Sequence, residues 1–202
     1  MTTRHLDLGC GATPRNPYRR GEVHAIDLMR PEGADPALFR VANLACEPIP
    51  YPDDSFDSVS AYDFLEHVPR VLPAADGAGT VFPFVRLMDE IWRVLLPGGL
   101  FYALTPAVPG MAAFTDPTHV NYISDETHSY FCGESPPARI YGFAGRFDAR
   151  RAQRAMIPED LTPGTRLAWS RAIKRSIRRA RGRLSHVVWE LEAVKPRRAS
   201  IP

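Results

Sequence analysis

The sequence predicts an α/β fold built on a mostly parallel sheet, and three observations carry that expectation. Short apolar runs alternate along the chain with stretches of helical periodicity. The first run, RHLDLG, ends in the tight turn Gly9-Cys10-Gly11. The second, EVHAIDL, ends at Asp27, 18 positions after Gly9. In a parallel sheet this spacing brings the glycine turn and the carboxylate to one edge.

The elements follow in order. After those two strands, FRVANLA supplies a third, and FDSVSAYDFL a fourth opened by the turn-like YPDDS. VFPFVRLMDEIWRVLLPGG sets Phe84, Leu87, Met88, Ile91, Trp92 and Leu95 at helical spacing and stops at Pro97-Gly98-Gly99. LFYALTP is the fifth strand. Ser124 is placed to N-cap a short helix over DETHSYF. A sixth strand falls within GRFDARRAQRAMI, and the alternating HVVWELEAV is the last. Between those two, Trp169, Ile173, Ile177, Ala180 and Leu184 recur as the stripe of an amphipathic helix, an insertion at about residues 165–184. That stripe is expected to pack against the rest of the protein. The whole chain, 1–202, reads as one domain without internal repeats.

Composition narrows the function classes. A 202-residue chain with 45% hydrophobic residues can build one well-filled core, and no apolar run reaches membrane-spanning length. No basic segment leading into an apolar stretch opens the chain, and Cys10, Cys46 and Cys132 lack metal-ligand spacing. Free thiols in a reduced, cytoplasmic setting are therefore expected. The net charge of +2 hides an asymmetry: residues 1–138 carry 9 Lys and Arg against 18 Asp and Glu, residues 139–202 carry 16 against 5. Eight of those cations lie from Arg166 to Arg183. They form either a solvated face or a contact for an anionic membrane surface, a lipid-linked phosphosugar or nucleic acid. Nucleic acid ranks last, because no aromatic–basic interleaving accompanies the charge.

The glycine turn lets a ligand approach the backbone of Gly9 and Gly11, and Asp27 can accept hydrogen bonds from both hydroxyls of a ribose. A nucleoside at the carboxyl edge of the sheet follows. A dinucleotide would need a third glycine where Pro14 stands, and Pro14 and Pro17 displace the helix whose amides hold a pyrophosphate. A nucleoside ligand without phosphate does not need that helix.

LDLGCGA, VHAID, NLACEPIPYPDDSFDSV, SAYDFLEHV and RVLLPGGLFYALTP, in that order, resemble the motifs of class I S-adenosylmethionine-dependent methyltransferases of the small kind associated with polysaccharide and glycolipid biosynthesis. DPTHVNYIS and VVWELEAVK resemble the same subgroup. Thr13 replaces the third glycine of that family's loop, and Asn43 stands where an aspartate is common. The resemblance implies a Rossmann-like sheet of seven strands in the order 3-2-1-4-5-7-6, last strand antiparallel, with helices on both faces. It implies S-adenosylmethionine as cofactor, met by Asp7, Gly9, Cys10, Gly11, Asp27, Leu28, Asn43, Leu44, Tyr62 and Asp63. Asp7 either orients the loop or caps it.

Methyl transfer to a hydroxyl benefits from a base near neutral pH, which favours histidine. His119 in DPTH is the first candidate and His67, after Glu66, the second. His119 could instead hold its loop together, and Glu66 and His67 could simply begin the next helix. The acceptor expected is a sugar, a lipid-linked sugar or another small metabolite. The acceptor side would be roofed by residues 106–135, by 68–85, or by a second subunit of a homodimer. Two other readings remain: a non-catalytic protein that binds S-adenosylmethionine or a nucleoside, and a nicotinamide-linked oxidoreductase.

Overall fold

The computed structural model describes residues 2–165 and 168–196, so Arg166 of the basic segment lies outside the described residues. Seven strands form the main sheet: β1 (Arg4–Leu8), β2 (Glu22–Asp27), β3 (Phe39–Val41), β4 (Phe56–Tyr62), β5 (Leu95–Pro106), β6 (Phe147–Ala155) and β7 (His186–Ala193). Their order is β3-β2-β1-β4-β5-β7-β6. The pairs β1–β2, β1–β4, β2–β3 and β4–β5 are parallel, whereas β7 runs antiparallel to both β5 and β6. The strand order reverses between β1 and β4, the switch point at which sheets of this kind hold ligands. Among the described residues, no helix is long and apolar enough to cross a membrane.

Alternation along the strands gives the sheet one greasy face. Leu6, Leu8, Val59, Ala61, Phe101, Ala103, Trp189 and Leu191 point to it and are fully buried. The covering helix, α1 (Pro83–Val94), starts on a proline whose fixed φ suits the first helical position. Its Phe84, Leu87, Met88 and Ile91 are at most 4% exposed. Pro97 disfavours helical backbone at the residue before it, and the chain passes directly into β5.

The opposite face is polar near β1 and β4. His5, Asp7, Ser58 and Ser60 are all at most 1% exposed. Ser60 Oγ donates its one proton to Asp7 Oδ1 (2.5 Å), so it must accept from His5 Nε2 (2.9 Å). His5 Nδ1 is then left to accept from Ser58 Oγ at 2.8 Å. Over this chain lies the loop of residues 11–21, in place of a helix. Arg15 N donates to Asp7 Oδ2 (2.7 Å), the Arg15 guanidinium covers the Tyr62 ring at 4.5 Å, and Tyr18 Oη donates to Glu190 (2.9 Å).

Burial pushes Asp7 up to about 6 and His5 down to about 4. These shifts tilt stability in opposite directions. The folded state holds the Asp7 proton longer than the unfolded chain, so this group's contribution falls as pH rises from 3.8 to about 6. The unfolded chain holds the His5 proton longer, so its contribution falls as pH drops from 6.5 to about 4. In Asp7→Asn only the histidine term remains. Its stability relative to the wild type should therefore rise between pH 4 and pH 6, by on the order of 3 kcal/mol. Urea unfolding of both proteins across that range measures the difference; a constant gap would contradict the assignment.

Two sequence expectations are corrected. DETHSYF forms no α-helix: Ser124 binds Thr127 and the Glu126 amide at the entry to a single 3-10 turn, Thr127–Phe131. The stripe of the basic segment does not pack either. After the one-turn α2 (Ala112–Thr115), helix α3 (Trp169–Ala180) leaves Trp169, Ile173 and Ile177 exposed by 78, 49 and 47%, and of the stripe only Leu184 beyond its end is buried. It is tethered by charge, Arg171 to Glu159 and Arg175 to Asp160, so its apolar side stays outward.

Candidate functional site

The residues expected to meet the cofactor lie at or just beyond the carboxyl ends of β1, β2, β3 and β4. Gly9 and Gly11 both have left-handed backbone, with φ of 62° and 59°. A Cβ on Gly9 would lie 2.4 Å from the Phe64 ring, whereas one on Gly11 would meet nothing within 4 Å. Gly9 is thus fixed by packing, and Gly11 opens onto space a ligand can use. Asp27 Oδ2 accepts from Gly11 N (2.7 Å) and Oδ1 from Leu28 N (2.6 Å), so the carboxylate ties the glycine turn to the end of β2. Leu28 is 63% exposed beside it. Asn43 is exposed after β3, where its backbone carbonyl accepts from Glu47 N, while Leu44 is buried. Cys10 is buried in a small cluster with Ala25 and Phe39, and burial pushes its thiol up to about 12. Tyr62 turns away from this edge, donating its hydroxyl to the Leu161 carbonyl (2.7 Å). Backbone room at Gly11 and a carboxylate at Asp27 fit a ribose-bearing cofactor. Asp27→Ala is expected to weaken S-adenosylmethionine binding at least tenfold, about 1.4 kcal/mol, by isothermal titration. Unchanged affinity would remove the ribose contact.

Next to this edge, the segments leaving β4 and β5 enclose an open cleft of roughly 710 Å³. Asp63, Glu66 and His67 line it from one side, Thr115, Asp116 and His119 from the other, with His186 at the start of β7. The two candidate histidines therefore meet, with ring centroids 4.8 Å apart. His119 Nδ1 points at the Ala113 carbonyl (3.3 Å), which leaves Nε2 without a proton, 3.9 Å from Glu66 Oε1. Thr118 Oγ1 donates to Asp116 (2.6 Å) and so accepts from His67 Nδ1 at 2.9 Å. Its hydrogen bonds also hold the Asp116 carboxyl below the usual range.

Glu66 is 1% exposed. Its Oε2 accepts from Thr105 Oγ1 at 2.8 Å, and Oε1 has no hydrogen-bond partner. Burial raises its pKa. The Glu66 carbonyl receives the amides of Val120 and Asn121 (both 2.9 Å), which pins the His119 segment to the end of β4. Ala112, Thr115, Asp116 and His119 wall this cleft, while Arg70, Val71, Phe82 and Phe84 border a second cavity. His186, 3.3 Å from Asp63, was not singled out from the sequence, because it reads there only as the first residue of an alternating strand.

Residues 6–103 match the family described as Methyltransferase domain. No curated protein matches the chain significantly in sequence. Among solved structures, a SAM dependent methyltransferase from Archaeoglobus fulgidus is 15% identical with a TM-score of 0.54, covering 95% of this chain and 86% of that one. A geranyl diphosphate methyltransferase solved with SAM is 14% identical, with a TM-score of 0.52 over 96% and 79% of the two chains. The 4+2 cyclase SpnF is 18% identical, with a TM-score of 0.56 over 96% and 76%. At such identities the likeness is one of fold: the Rossmann-like fold of class I methyltransferases. Methyl transfer from S-adenosylmethionine is the activity that this fold and the match over residues 6–103 together support.

Proposed function

We propose that the protein methylates a hydroxyl of a sugar carried on an anionic lipid. The observation that carries this reading is the position of α3. Its exposed Trp169, Ile173 and Ile177 lie among Lys174, Arg178, Arg181 and Arg183, and the chain runs from there into His186 at the cleft. An apolar stripe flanked by cations is the pattern of a helix lying in a membrane interface. A cleft lined by carboxylates and imidazoles suits a polyhydroxylated acceptor.

Within the cleft, His119 Nε2 is the base for the acceptor proton, and His67, held by Thr118, is the second proton-handling group. Glu66, 3.9 Å from His119, favours the imidazolium once it forms. Gly11 and Asp27 hold the cofactor on the neighbouring edge, which supplies an electrophilic methyl carbon and leaves as a neutral thioether. Holding donor and acceptor in line supplies much of the rate.

Incubation with methyl-labelled S-adenosylmethionine and a membrane lipid extract should place label in the glycolipid fraction. Label confined to water-soluble sugars would overturn the lipid assignment. The protein should also sediment with phosphatidylglycerol vesicles but not phosphatidylcholine vesicles, and Trp169→Glu with Ile173→Glu should abolish this without changing S-adenosylmethionine affinity.

A further inference from the structure

The cleft holds more electron pairs than protons. One ligand atom from each of Glu66, His67 and His119 lies within 4.8 Å of the others. His119 spends its Nδ1 proton on Ala113, and His67 spends its own on Thr118, whose proton in turn is committed to Asp116. In the neutral rings both Nε2 atoms are then acceptors. Glu66 Oε1 adds a third acceptor, on a side chain 99% buried and with no partner at that atom. The far atom of each group is held by an outer hydrogen bond: Thr105 on Glu66, Ala113 on His119 and Thr118 on His67. Ligands oriented from behind, each with a ligand atom near the other two, make up the usual two-layer arrangement of a metal site.

We propose that Glu66, His67 and His119 bind a divalent first-row transition cation, such as Zn²⁺ or Mn²⁺, at the floor of the acceptor cleft. Two imidazoles with one carboxylate favour these ions over Mg²⁺, which prefers an all-oxygen shell. In a tetrahedral zinc site, ligand atoms about 2.0–2.2 Å from the ion lie roughly 3.4 Å from one another. The present 3.9 Å between His119 Nε2 and Glu66 Oε1 needs only small side-chain rotations to reach that spacing. Three protein ligands leave a coordination position open toward the cleft, where an acceptor hydroxyl can bind.

This rests on the acceptor cleft proposed above and changes how His119 works there. The cation, not the imidazole, acidifies the hydroxyl. The O–H proton passes to solvent, the oxygen pair forms the new O–CH₃ bond, and the C–S bond breaks with its electrons returning to sulfur.

Untagged protein, freed of metal by chelator dialysis, is titrated with ZnCl₂ and separately with MnCl₂ by calorimetry. One ion should bind per chain for at least one of the two metals. Glu66→Gln and His119→Ala should each weaken binding at least tenfold, and His128→Ala should leave it unchanged. His67→Gln, at a less buried position, provides the same reading should Glu66→Gln fail to fold. Wild-type binding no tighter than that of the folded ligand variants overturns the site. S-adenosylmethionine affinity, measured on the same samples, separates the two readings: a protein that binds the cofactor but no cation loses only this inference, whereas loss of cofactor binding in the wild type would undo the function itself.

Discussion

Gly9→Ala is expected to lower the melting temperature by roughly 5–15 °C. Two costs act at this position. Its φ of 62° is left-handed, which costs an L-residue roughly 1–2 kcal/mol. The added methyl would also sit 2.4 Å from Cδ2 and 2.7 Å from Cγ of Phe64, a ring packed against the main core. Relieving such an overlap costs about 1–3 kcal/mol, and each kcal/mol shifts melting by roughly 2–4 °C at this chain length. Gly11→Ala provides the contrast. It shares the backbone strain, with φ of 59°, but meets no atom within 4 Å, so its melting loss should be the smaller of the two. Its methyl would enter the space proposed for the cofactor, so its S-adenosylmethionine affinity should fall instead. Scanning calorimetry and titration of both variants test the pair. Equal melting of Gly9→Ala and wild type would mean that Phe64 moves aside freely.

His119→Ala should lower turnover by about 10²–10⁴-fold, whether the imidazole takes the acceptor proton itself or holds the cation that acidifies the hydroxyl, with S-adenosylmethionine affinity held within about twofold. The imidazole belongs to the segment after β5 and contacts Ala113 and Glu66, not the Gly9–Asp27 edge. A fall in cofactor affinity matching the fall in turnover would reassign His119 to a structural role. Normal turnover would remove it from the chemistry.

The sheet was legible because β1, β2, β4 and β5 are short apolar runs bounded by turn residues. β6 was harder to place: Phe147–Ala155 is an edge strand rich in arginine, next to β7 in the sheet. Periodicity identified α3 but could not say what covers its stripe, since Trp and Ile recur at helical spacing whether they face a core or not. Two short charged contacts, to Glu159 and Asp160, decided that question. In the site, His67 and His119 stand 52 positions apart and converge because each follows one of two adjacent parallel strands. The topology rule for sheet edges carries that much. Their proton arrangement was not legible, because it depends on Thr118, Asp116 and the Ala113 carbonyl.

The loop of residues 11–21 is held to the sheet through Arg15 on Asp7 and the Tyr62 ring, and through Tyr18 on Glu190 and the Tyr102 ring, so hydrogen bonds carry much of its attachment. Hydrogen bonds of this kind can be traded for water one at a time, whereas a hydrophobic interface separates only as a whole. The cofactor loop should therefore open at a small fraction of the cost of unfolding the sheet. In deuterium exchange, its amides should be replaced long before those of β1 and β4 and should be slowed by S-adenosylmethionine. The prolines that remove the helix thus also build a door, hinged on the rigid sheet edge proposed for the methyl donor.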